Sequence, residues 1–76
     1  MEHLFSTSIS IHGRSIRYEV NFLNEQYIFQ PATDDSESIS FSLRREHDEW
    51  IAGGQITSEI TPQAIELLEK YLMKQH

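Results

Sequence analysis

The 76-residue chain contains no cysteine, so neither a disulfide framework nor a thiolate metal site is open to it. That absence fits a reducing compartment. The N-terminal MEHLFSTSI has no basic region and no apolar run of seven or more, which argues against a secretory leader. No stretch approaches the roughly 20 apolar residues that a helical membrane span needs. A soluble, cytoplasmic protein is therefore expected. Positive charge is also scarce: six basic side chains stand against twelve acidic ones, for a net charge of −6. Nucleic-acid binders usually carry the opposite sign, because phosphate contacts supply much of their affinity. Only two prolines occur, and each marks a boundary: Pro31 ends a strand and Pro62 opens a helix.

What the chain does have is alternation. Residues 5–12 (FSTSISIH) and 15–22 (SIRYEVNF) alternate apolar with polar, and Gly13-Arg14 lies between them. Folding about that dipeptide sets Ile11 against Ile16, Ile9 against Tyr18, Thr7 against Val20 and Phe5 against Phe22. The apolar residues then share one face, while Ser6, Ser8, Ser10, Ser15, Arg17, Glu19 and Asn21 share the other. A slip of one residue would destroy the separation. A second turn at 23–26 (LNEQ) uses Asn24, which tolerates positive φ, and pairs Phe22 with Tyr27 and Val20 with Phe29. Residues 31–37 (PATDDSE) read as a polar, turn-rich loop. Residues 38–44 (SISFSLR) alternate again, with Ile39, Phe41 and Leu43 inward. A charged turn at 45–48 would return the chain with Leu43 opposite Trp50, Arg44 opposite Glu49 and Arg45 opposite Asp48. Gly53-Gly54 then breaks the strand.

From Thr61 the period changes to 3.6. Thr61 is placed as an N-cap with Pro62 in the first helical position. Ala64, Ile65, Leu68, Tyr71 and Leu72 form an apolar stripe, and Glu66–Lys70 is a favourable i,i+4 pair. A helix of about 15 residues spans roughly 22 Å, enough to cover a four- or five-stranded sheet. The expected fold is α+β across residues 1–76, one small domain. An antiparallel meander of four to five strands carries the C-terminal helix on one face. The expected core is Phe5, Ile9, Ile11, Ile16, Tyr18, Val20, Phe22, Tyr27, Phe29, Ile39, Phe41, Leu43, Trp50, Ile65, Leu68, Tyr71 and Leu72.

Motifs for chemistry are missing. The histidines at 3, 12, 47 and 76 have no partners at ligand spacing, and the run Glu46-His47-Asp48-Glu49 reads as a solvated turn. None of the nine serines sits in a strand-to-helix elbow with an assignable base. Gly53-Gly54 lacks the Lys and Ser/Thr of a phosphate loop. Neither an enzyme nor a cofactor-binding protein is expected.

The outer sheet face is the remaining candidate. It presents Ser8, Ser10, Arg17, Ile28, Ser40, Ser42, Arg44 and Ile51, a flat surface of short side chains broken by two isoleucines. The expected function is a small non-enzymatic protein-interaction module, whose partner is another protein or a second copy of the chain. In element order, with residues 54–56 (GQI) and 61–64 (TPQA) leading into the helix, the chain also resembles the single-strand nucleic-acid binders of the PUR-repeat and positive-cofactor type. That resemblance covers topology alone. It implies a dimer and a curved sheet for single strands, with Arg14, Arg17, Arg44 and Arg45 as the available cations.

Overall fold

Strand β1 (Glu2–Ile11) turns into β2 (Arg14–Leu23), followed by β3 (Gln26–Pro31), β4 (Phe41–Glu46), β5 (Glu49–Gly54) and the helix α1 (Ile60–Lys74). The structure, a computed structural model, describes residues 2–32, 39–54 and 56–74. The expected loop therefore lies mostly outside the described residues, as does Ser38. Each strand pairs antiparallel with its sequence neighbours in the order β1-β2-β3-β4-β5. The α+β meander with its helix on one face is thus the observed architecture.

Three of the connections are two-residue turns with both central residues at positive φ. They are His12 (52°) and Gly13 (77°), Asn24 (53°) and Glu25 (63°), and His47 (52°) and Asp48 (66°). That is the signature of the type I′ turn, whose twist matches that of the strands it joins. The second turn lies where expected, and so do its pairs Phe22↔Tyr27 and Val20↔Phe29. The other two do not. The first hairpin turns at His12-Gly13 rather than Gly13-Arg14, so Ile9 pairs with Ile16, Thr7 with Tyr18 and Phe5 with Val20. The fourth strand begins at Phe41 and runs on to Glu46, so Leu43 faces Ala52, Arg44 faces Ile51 and Arg45 faces Trp50. The expected cross-strand charge pairs Arg44–Glu49 and Arg45–Asp48 are consequently not formed. Both errors are slips of two positions, which leave every side chain on its expected face.

The inward face is apolar and aromatic. Ile9, Tyr18, Val20, Phe29, Leu43 and Leu68 are fully enclosed, each worth about 1.5–3 kcal/mol of transfer free energy. Phe29 and Phe41 stack at 4.7 Å between centroids, and Tyr18 meets Phe41 at 5.6 Å. The Tyr18 hydroxyl donates to Ile39 O at 2.8 Å and accepts from Ile39 N at 3.3 Å, fastening the residues that enter β4. Phe5, Tyr27, Ile39, Trp50 and Ile65 pack around this centre half-buried.

Helix α1 starts two residues earlier than expected, at Ile60 rather than Pro62. Thr61 is not the cap but an early helical residue, its hydroxyl donating back to Thr57 O at 2.9 Å. Ile60 joins Ala64 and Leu68 at i, i+4 and i+8 as the buried stripe. The helix runs antiparallel to β1: Glu59 and Gln63 reach the backbone of His12 and Ser10, while Tyr71 stacks on Phe5 at 4.6 Å. It therefore roofs the β1 side of the sheet. On the same face at the far side, Ala52 and Arg45 remain exposed. No described helix is long and apolar enough to cross a membrane.

Candidate functional site

Strand parity sends Ser6, Ser8, Ser10, Arg17, Glu19, Asn21, Ile28, Ser42, Arg44 and Ile51 to the outer face, but register divides them. Ser8 lies opposite Arg17 at the β1–β2 end. Two strands away, Ile28 lies opposite Ser42 and Arg44 opposite Ile51. Ser40 is exposed just before β4, and Ser10 is exposed beside the helix start. The expected surface is therefore two patches. The second encloses space.

That second patch is a depression of about 260 Å³ lined by Gln26, Ser42, Arg44, Ile51, Ala52 and Gly53. Gly53 makes it, because a strand glycine leaves bare backbone where a side chain would stand. A Cβ there would come within 3.0 Å of Ser42 Oγ. Ile51 is 38% exposed at the rim. The Arg44 guanidinium is held by Glu46 at 3.1 Å, so the cation beside the hollow is already paired. Gln26 was not a candidate from sequence, and Gly53-Gly54, expected to break the strand, instead lie within β5, where a glycine signals close approach.

The four arginines do not form a stripe. Arg17 and Arg44 face outward, and Arg45 faces inward with its guanidinium 5.3 Å from the Trp50 ring centroid. Arg14 flanks the first turn. All eight aromatic rings belong to the inward side of the sheet or to the helix. Among the described residues the outer face thus offers no platform on which bases could stack.

A polar cluster also emerges at the β1 end. The register shifts between His3 and Phe5, and the extra residue, Leu4, turns into the core while His3 swings to the outer face. There His3 Nε2 lies 2.7 Å from Glu19 Oε2, and Ser6 Oγ donates to the same oxygen at 2.5 Å. Hydrogen bonds from Ser6, then His3, hold the Glu19 carboxyl below its usual range. Serine, histidine and carboxylate meet here in the wrong order for nucleophilic catalysis: the hydroxyl is bound by the acid and has no base. Periodicity could not reveal this cluster, because only the bulge brings residues 3 and 6 to one face.

The β1 edge carries its own closure. Ser10 N donates to Gln63 Oε1 at 2.9 Å and Ser10 O accepts from Gln63 Nε2 at 2.8 Å, so one side-chain amide stands in for a neighbouring strand. The Glu59 carboxylate accepts from His12 N at 3.2 Å to each oxygen. A second depression of about 280 Å³ lies at this end, lined by Ile11, His12, Ile39, Thr57, Ser58, Glu59 and Ile60. Glu59 is its lone carboxylate. Among the described residues no three His, Asp or Glu side chains converge as metal ligands.

No family model matches the chain, no curated protein matches it, and no solved structure matches its fold. What the molecule does must therefore be argued from its own surface.

Proposed function

We propose that the chain is a small, non-enzymatic protein-interaction module of the cytoplasm that takes its partner on the outer sheet face beside β5. One observation carries the reading: the hollow over Gly53, rimmed by the exposed Ile51, opens directly onto an edge strand. A concave spot with an apolar rim, next to backbone that no described strand pairs, is what an incoming strand or loop uses, with main-chain hydrogen bonds for affinity and a side-chain pocket for specificity. The rest of the outer face, short serines and paired charges, offers little to a ligand that needs depth.

A photo-reactive residue replacing Ile51 in the native cell tests this. A discrete cross-linked product is expected, absent when the same residue replaces Ser8 at the β1 end. Equal labelling at both positions, or none at Ile51, would remove the proposal.

A further inference from the structure

Building on the interaction-module reading, we infer that the occupant of the β5 edge is a second copy of this chain. The two copies pair antiparallel, β5 to β5, about a two-fold axis between their Ala52 residues.

The backbone phase favours this axis. Glu46 and Glu49 flank a two-residue turn and so form a hydrogen-bonded pair; alternation makes Arg44–Ile51 and Ser42–Gly53 the next such pairs. The N–H and C=O groups of Trp50 and Ala52 therefore point away from β4. With the axis at Ala52, the N–H and C=O of each Ala52 meet those of the other, and each Trp50 lies opposite Gly54 of the other copy.

Side chains fit the same register. Ile51 falls opposite Gly53 of the second copy, and its side chain enters the hollow that this glycine leaves between Ser42 and Arg44. Trp50 falls opposite Gly54. Large residues meet missing ones twice over, as a self-complementary two-fold contact requires.

Charge selects against other registers. Each chain carries −6, yet residues 50–54 (WIAGG) hold no charged side chain. The axis at Ala52 keeps the two Glu49 residues six strand positions apart, roughly 20 Å and beyond the screening length in physiological salt. Moving the axis towards the turn brings them together.

The other edge is closed to such pairing. Gln63 and Glu59 occupy Ser10 and His12, and the bulge at Leu4 bends the strand, leaving Ser6 and Ser8 as the outward positions between them. On the β5 side Ala52 is exposed, and among the described residues the helix packs chiefly on β1, its last turn reaching Arg45. A five-residue ladder buries roughly 800 Å² in total, the range of transient complexes. The dimer is accordingly weak and reversible, with a dissociation constant on the order of 10–100 μM.

Sedimentation equilibrium from about 10 μM to 1 mM tests the pairing. The protein is expected to pass from monomer to dimer over that range. Ala52→Pro, which removes an outward N–H that β4 does not use, is expected to weaken association about 30-fold or more while circular dichroism stays unchanged. If that variant does not fold, Ile51→Lys is expected to do the same by placing a charge in the hollow. A protein monomeric at 1 mM, or variants that dimerise as wild type, would overturn the inference. Register is read by mixing Ile51→Cys with Gly53→Cys chains under mild oxidation. A crossed disulfide supports the axis at Ala52; a homodimer of Ile51→Cys, or no disulfide, overturns it. A cross-link from Ile51 only to a different protein would sink self-pairing and leave the module reading standing, whereas no cross-link at all would sink both.

Discussion

Replacing Tyr18 by Phe removes one oxygen and leaves the ring in place, so its effect isolates a single interaction. The ring is fully enclosed and keeps its contacts with Phe29 and Phe41. The hydroxyl, however, serves both the N–H and the C=O of Ile39. A buried backbone group left without a partner costs about 1–3 kcal/mol, and Ile39 is half-buried, so water recovers part of that loss. The net expectation is about 2 kcal/mol. For a chain of this size that lowers the melting temperature by about 10 °C, with a matching drop in the urea midpoint. The alkaline limb supplies a second readout. Burial pushes the Tyr18 phenol above its usual 10.0, outweighing the opposing hydrogen bond to Ile39. The folded state thus binds this proton more tightly than the unfolded chain. Its contribution is complete below the ordinary value and is lost as pH rises through the folded one. Tyr18→Phe should flatten that decline. A variant as stable as the parent, with the same alkaline slope, would refute the assigned role of the hydroxyl.

Leu68→Ala should cost about 2–5 kcal/mol in denaturant titrations, because the residue is fully enclosed beneath the helix; a loss under 1 kcal/mol would mean the helix does not roof the core. Gln63→Ala should speed amide exchange at Ser10 about 10-fold with little change in melting temperature, since the amide it removes is an exposed stand-in for a strand. Unchanged exchange would show that the clasp does not hold in solution. The lowered Glu19 carboxyl predicts stability that is present above the ordinary 4.5 and lost as pH falls through the folded value. Melting temperatures between about pH 3 and 6 should show a shallower acid slope in Glu19→Gln, and an identical slope would remove the cluster from the account.

Side-chain parity was legible in the sequence throughout, and register only at the Asn24-Glu25 turn. Alternation in residues 5–12, 15–22 and 38–44 places Ile9, Tyr18, Phe41 and Leu43 in the core whichever even slip is chosen. Choosing among slips requires knowing the turn, and two of the three turns begin with histidine rather than the asparagine that marks the third. Positive φ is uncommon for any residue but glycine, so Gly13 draws attention to itself as the start of the turn when it is the second residue. The same blindness concealed the hollow. Arg44 and Ile51 were both placed outward, but only the true register sets them side by side next to Gly53. The Leu4 bulge and the Gln63 clasp are tertiary events with no periodic trace. Ile60 escaped notice because Thr61-Pro62 imitates a helix start that the chain makes two residues earlier.

Edge pairing through β5 depends on which of its backbone groups face solvent. Amide exchange of the 15N-labelled protein at high dilution reads them directly. Ile51 and Gly53 should be protected by β4, and Trp50 and Ala52 should exchange nearly as in an unfolded peptide, gaining protection as concentration rises. Protection of Ala52 equal to that of Ile51 in the dilute monomer would contradict it.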